Sequence, residues 1–238
     1  MSQYIQAQLN EVRAEIAQAA ASCGRAPDEI KLVAVSKTFS TEDILNAYAC
    51  GQRRFGENKV QELELKAASL PLDIEWHLLG HLQSNKAVKA VQYATFIHSV
   101  DSVKLIQRLD RLAGEAGKKP KILLEVNISG ESTKFGASAE SEILSLAEAA
   151  VKAPNLELAG LMTMAPYEAA AAELRRIFRV LRQLRDRIEG QLNIRMPELS
   201  MGMSGDFPAA IAEGATFVRI GTAIFGKRDY GMPPKTDL

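Results

Sequence analysis

Lys37 closes the run Lys31-Leu-Val-Ala-Val-Ser-Lys37 and shares a period-two face with Val33 and Val35. Desolvation at the rim of an apolar core disfavours the ammonium form and leaves an amine nucleophilic enough to form a Schiff base. The same pattern also fits a lysine that snorkels from a strand end into water. Two later turns bear on the choice. Ser200-Met-Gly-Met-Ser204-Gly-Asp-Phe-Pro208 and Arg219-Ile-Gly221-Thr222-Ala-Ile-Phe-Gly226 hold Gly202, Gly205 and Gly221, where backbone N–H groups approach a ligand without Cβ obstruction. Ser204 and Thr222 add hydroxyls, and Asp206 before Pro208 reads as a helix start suited to an anion. Turn chemistry accounts for either loop alone, whereas the two together suit a phosphate. Arg219 alternates with Phe217 and Gly221, so it faces the same side as that turn. It can pair with a carboxylate, bind phosphate or donate to a ring nitrogen.

The elements that must position these residues repeat as strand then helix. Strand-like runs cover Lys31–Lys37, Arg53–Glu57, Ile74–Leu79, Thr95–Val100, Lys121–Ile128, Leu156–Met164, Glu198–Met203 and Thr216–Ile220. Helical stretches separate them, among them Thr41–Cys50 stopped by Gly51, Ser102–Ala116 stopped by Gly117, and a long one from about Ala169 to Ile188. An extra helix opens the chain, with Ile5, Leu9, Val12 and Ile16 on one stripe and Gly24 at its close. Eight such units predict a (β/α)8 barrel, whose active sites gather at the carboxyl ends of the strands, with phosphate often held after strands seven and eight. An open doubly wound sheet is the alternative, but no GxGxxG follows the first strand.

Composition sets the outer bounds. With 238 residues and no Pro-, Gly- or Ser-rich linker, one barrel domain is expected to use the whole of 1–238, with a loosely held tail from Gly231. The 29 basic and 29 acidic residues give no net field for nucleic acid or anionic membrane. Cys23 and Cys50 lack metal-ligand or disulfide-framework spacing, the N-terminus lacks a signal-peptide pattern, and no apolar run approaches the roughly 20 residues of a membrane span. A cytoplasmic protein is expected, acting as a monomer.

A Schiff-base lysine, a phosphate cup across a barrel and an arginine near a ring nitrogen together describe a pyridoxal 5′-phosphate pocket. Six ordered segments carry a family resemblance that points the same way. They are Val33-Ala-Val-Ser-Lys37-Thr, Phe55-Gly-Glu-Asn58, Trp76-His-Leu-Leu-Gly-His81-Leu-Gln-Ser-Asn85-Lys86, Gly160-Leu-Met-Thr-Met164, Leu199-Ser-Met-Gly-Met-Ser204 and Val218-Arg-Ile-Gly-Thr-Ala-Ile-Phe-Gly226. From about Gly24 to Tyr230 the chain resembles the pyridoxal-phosphate homeostasis protein family, small proteins similar to the barrel domain of alanine racemase. The resemblance implies that Lys37 carries the cofactor, that Ser204, Gly221 and Thr222 hold its phosphate, that Arg219 faces the pyridine nitrogen and that Asn58 lines the pocket. Lys134 matches a lysine considered a secondary contact in the family. Lys227 stands where a small residue is expected.

Other residues point elsewhere at first sight. His77 and His81 sit four apart but straddle a strand end without an intervening zincin glutamate, so no metal site is expected. His77 reads as a satisfied structural histidine, Met162 and Met164 as core or pocket wall. The arginines at 175, 176, 179, 182, 185 and 187 read as the solvated face of a barrel helix, with Arg182 pairing Asp186. Two function classes remain. A racemase-type enzyme needs an acid and a base on opposite faces of the α-carbon. The alanine racemase pattern takes one of them from a second domain, and no second base opposite Lys37 is evident here. An arginine beside the ring nitrogen also disfavours ring protonation and weakens the electron sink. The resemblance therefore implies a non-catalytic carrier that buffers or delivers the cofactor, with apo forms of pyridoxal-phosphate enzymes as potential recipients that no residue identifies.

Overall fold

Eight short strands carry apolar side chains on both faces, the pattern of a parallel sheet covered on each side. In the structure, a computed structural model, residues 2–131, 135–166 and 168–226 are described. The strands are β1 Lys31–Val35, β2 Arg54–Glu57, β3 Glu75–Leu78, β4 Phe96–Val100, β5 Lys121–Glu125, β6 Glu157–Met162, β7 Glu198–Ser200 and β8 Phe217–Ile220. They pair in parallel in chain order and close, β8 returning to β1 through Lys31↔Phe217 and Ala34↔Ile220. The expected (β/α)8 barrel is thus the observed fold.

Outside the barrel, α1 Ser2–Ser22 buries Ile5, Leu9, Val12 and Ile16, and Gly24 (φ 72°) turns the chain out of it. Then come α2 Thr41–Ala49, α3 Val60–Ala67, α4 Ala87–Tyr93, α5 Val103–Ala116, α6 Glu140–Val151, α7 Ala171–Leu192, α8 Phe207–Ala212 and α9 Thr222–Phe225. Ser40 caps α2 by accepting from the Asp43 N–H, one residue ahead of the expected start, and Ser102 caps α5. The apolar stripe of α7 (Ile177, Phe178, Leu181, Leu184 and Ile188) is fully buried against the sheet. A side chain of this kind contributes about 1.5–3 kcal/mol on burial, so the stripe anchors the helix by hydrophobic transfer.

The outer face of α7 departs from expectation. Arg182 approaches Glu213 (3.7 Å), joining Arg175 and Arg179 around that buried carboxylate. Asp186 pairs with Arg185 instead. The carboxylate of Glu213, fixed at the C-terminal cap of α8, gathers charges that local helix spacing would have paired along α7.

Several strands are shorter than the sequence runs predicted. The β1 ladder stops at Val35: the Ser36 N–H still donates to the Gly56 carbonyl, but the Ser36 carbonyl is taken by the Phe39 N–H (3.1 Å) and by Lys66 Nζ (2.9 Å). After Glu125 only an isolated Val126–Ala137 bridge remains, and β6 ends at Met162. Beyond Ser200, Gly202 (φ 95°) turns the chain towards α8. A Cβ there would sit 2.7 Å from that of Ala210, so this turn demands glycine on both counts.

Inside the barrel, Val33, Phe96, Leu123, Ala159, Met162 and Phe217 form an apolar layer. Set among them are His77 and His98, both wholly buried, with the His77 ring stacked on Phe96 at 4.8 Å. Above this layer, at the carboxyl ends of the strands, the barrel opens.

Candidate functional site

The opening is a cavity of about 500 Å³. Lys37, Asn58, Ser204, Arg219, Gly221 and Thr222, the six residues singled out from sequence, all line it. Met162 and Met164 line it too, which places both in the pocket wall. Lys134, Lys227 and the tail from Gly231 lie outside the described residues.

Lys37 sits two residues past the end of β1, half-buried, in a turn rather than on the strand. Val33 still faces the barrel interior and Val35 lines the cavity, so the face assigned from sequence is right although the ladder ends sooner. The turn is held from behind. Thr38 adopts φ 70°, a costly conformation for a β-branched residue, and its N–H donates to Glu62 Oε2 (2.9 Å). Lys66 Nζ donates to the Ser36 carbonyl, to Glu57 Oε1 (2.8 Å) and to Glu62 (3.3 Å), while Ser36 Oγ donates to Glu57 (2.7 Å). Burial pushes the Glu57 carboxyl up, and Lys66 pulls it back towards ionisation. Glu62 and Lys66, four apart on α3, place a buried ion network directly beneath the candidate nucleophile.

Arg219 on β8 is buried and held in a fixed direction. It donates to Ser200 Oγ (2.7 Å) and to the Thr163 carbonyl (2.9 Å). Behind Ser200 a hydrogen-bonded column continues to His98 Nδ1 (2.9 Å), from His98 Nε2 to His77 Nδ1 (2.8 Å), and from His77 Nε2 to Glu75 (3.0 Å). Donation running from Arg219 through Ser200, His98 and His77 to Glu75 satisfies every member with both rings neutral. Burial pushes both imidazoles down, which favours that state. Burial also draws the Arg219 guanidinium down to about 10, with Asp206 and Glu125 opposing. His77 is therefore structural, as expected, and lies beneath the cavity floor.

Beside Lys37, the β7 and β8 turns bring Ser204, Gly205, Gly221 and Thr222 to the cavity mouth. A Cβ at Gly205 would meet nothing within 4 Å, so the backbone there is open to a ligand. Asp206 stands at the N-cap position of α8 without a side-chain capping bond, because its carboxylate turns back to accept from the Met203 N–H (2.5 Å). That negative charge opposes an anion at the α8 terminus.

The sequence reading missed Glu125. It follows the interior residue Leu123 by two, is 3% exposed and lines the cavity, and burial next to Asp101 raises its pKa to about 7. In the closed order β1 and β5 are four strands apart in either direction, so Glu125 stands on the wall opposite Lys37. The expectation of no acid or base there is corrected. An acid at an interior position of β5, where the alternation calls for an apolar residue, was the available signal. His81 also lines the cavity, stacked on Phe135 at 4.0 Å, with Nδ1 3.4 Å from Asp101.

Comparison with known proteins agrees with this arrangement. A family model for the alanine racemase N-terminal domain matches residues 7–229. The pyridoxal phosphate homeostasis protein of Pseudomonas aeruginosa is 44% identical over 227 residues, 94% of this chain and 96% of that protein. Its counterpart in Aquifex aeolicus is 42% identical over 223 residues, 93% and 97% of the two chains. A structure of PipY from Synechococcus elongatus with PLP bound superposes with TM-score 0.79 at 44% identity, covering 89% of this chain and 100% of that one. The chain belongs to the pyridoxal phosphate homeostasis protein family, built on the alanine racemase N-terminal domain.

Proposed function

We propose that this protein binds pyridoxal 5′-phosphate in the cavity at the barrel mouth and serves cofactor homeostasis, buffering or delivering the cofactor without transforming amino acids. The observation that carries the reading is the convergence of Lys37, Asn58, Ser204, Arg219, Gly221 and Thr222 on one cavity of about 500 Å³. The names of the relatives and the cofactor in PipY support it. The residues fit the group: an amine for an aldehyde, hydroxyls and open backbone for a phosphate, and a fixed guanidinium for a pyridine nitrogen.

When bound, the cofactor supplies an aldehyde that condenses with amines. Lys37 provides that amine, and the Glu62–Lys66 network holds its turn in one conformation. The Ser204 and Thr222 hydroxyls, with backbone N–H groups of the two turns, bind the phosphate. Arg219 would face the ring nitrogen and disfavour a proton there, because two adjacent positive charges are disfavoured. Asn58, just past the end of β2, would line the ring. A pyridine left unprotonated is a poor electron sink, which agrees with a carrier. Glu125 opposite Lys37 is the one observation that favours the amino-acid-transforming alternative.

Two assays separate these readings. Titration with pyridoxal phosphate should saturate a new absorption band that Lys37→Ala lacks, and free pyridoxal should bind far more weakly. Loaded protein in heavy water with L-alanine should show no sustained α-deuteration, and should pass its cofactor to an added apoenzyme. Lys37-dependent deuteration with formation of the D-isomer would establish the racemase reading instead.

A further inference from the structure

We propose that Glu125 forms a subsite for the ammonium group of a primary amine, on the cavity wall across from Lys37. Glu125 is 3% exposed, and its Oε2 has no hydrogen-bond partner among the described residues. Buried polar atoms are nearly always paired, and a carboxylate withdrawn from water without a donor is costly. Arg219, whose charge reaches Glu125, does not fill that role, since its bonds run to Ser200 and Thr163. Asp101, 3.4 Å from the lining residue His81, adds a negative charge that also bears on Glu125.

An ammonium group answers these features better than a metal ion. Among the described residues no group of three or more His, Cys, Asp or Glu could hold a metal. An ammonium brings three donors on a tetrahedral head, enough for the unpaired carboxylate oxygen, and a carbon chain that Leu79, Met162 and Phe135 of the same cavity can cover. At the rim, the exposed Phe135 ring offers a face over which a cation can enter. The inference rests on the cofactor reading for its purpose, because a primary amine is the reagent that competes with Lys37 for an aldehyde. The amine has two sources: the α-ammonium of a free amino acid, or the ε-ammonium of a lysine on a recipient protein.

The test begins with cofactor-free protein carrying ¹³C-labelled glutamate carboxyls, the Glu125 resonance being assigned by its loss in Glu125→Gln. Glycine and Nα-acetyl-lysine amide are added separately at about pH 8, above the Glu125 pKa of about 7. A saturable shift of that resonance is expected, with affinity lowered roughly tenfold in Asp101→Asn. Saturation by glycine alone assigns free amino acids, and saturation by the lysine derivative assigns protein lysines. In loaded protein, the amine concentration that half-converts the absorption band should rise roughly tenfold in Glu125→Gln. No saturable shift with either amine, or equal amine response of Glu125→Gln and the parent, overturns the subsite. Failure of the parent to take up cofactor would sink the cofactor reading alone, and the ¹³C titration would still decide the subsite. Should Glu125→Gln not fold, Glu125→Asp removes the same glutamate resonance and supplies both the assignment and the comparison.

Discussion

The two walls of the cavity are built on opposite principles. Behind Lys37 and Arg219, a second layer of groups supports what faces the ligand: Glu62, Lys66 and Ser36 under the lysine turn, and Ser200, His98 and His77 under the guanidinium. Across the mouth, Glu125 is buried with one oxygen unpaired among the described residues, on a cavity that the His81–Phe135 stack also lines. The first wall resists rearrangement, since each polar group would lose a partner by moving. The second keeps a buried carboxyl whose ionised form an incoming cation can stabilise. One cavity thus pairs a fixed holding side with a side suited to exchange.

Cutting the support behind Lys37 should have the largest effect. Lys66→Met leaves Glu57 buried without its cation, and thermal or denaturant unfolding should show a loss of about 3–5 kcal/mol. Adding Glu57→Leu should restore part of it, because no orphaned charge then remains. A loss within error for Lys66→Met would show that the network bears no strain.

The opposite wall should respond with the opposite sign. Burial raises the Glu125 pKa from 4.5 to about 7, so the folded cofactor-free protein favours the protonated carboxyl. That preference is fully present below about pH 4.5 and is lost as pH rises through about 7. Relative to Glu125→Gln, the parent should therefore lose up to roughly 3 kcal/mol across this window. Parallel stability curves for the two proteins would place the carboxyl in a wetter environment than its 3% exposure implies.

Smaller changes should sharpen the holding side without unfolding it. Ser204→Ala and Thr222→Ala each remove a hydrogen bond to a charged phosphate, worth about 1.5–3 kcal/mol, or roughly ten- to a hundredfold in cofactor affinity. If the double variant binds pyridoxal phosphate as the parent does, the phosphate lies elsewhere. Glu62→Gln should cost about 1 kcal/mol by weakening the acceptor of the Thr38 N–H, and should slow covalent capture of cofactor more than it lowers phosphate affinity.

The fold and the holding wall were legible in sequence because both rest on local pattern. Period-two runs located all eight strands, and glycine-rich turns after the last two flagged residues that line the cavity mouth. Strand ends were less legible, since the Ser36 carbonyl just past β1 is shared between a local turn to Phe39 and Lys66, thirty positions later. Long-range convergence hid other features in the same way. The pairing of Arg182 with Glu213 bridges two helices, and the His98–Ser200 bond joins β4 to β7. Glu125 escaped notice because its meaning depends on the strand across the barrel, which only closure supplies.

The central claim, that this cavity holds the cofactor through Lys37, is tested most directly by trapping the bond and locating it. Protein loaded with pyridoxal phosphate is reduced with borohydride, digested and mapped by mass spectrometry. The account predicts one stoichiometric adduct on the peptide containing Ser36-Lys37-Thr38, absent from Lys37→Ala. An adduct confined to Lys134 or Lys227, or undiminished in Lys37→Ala, would contradict it.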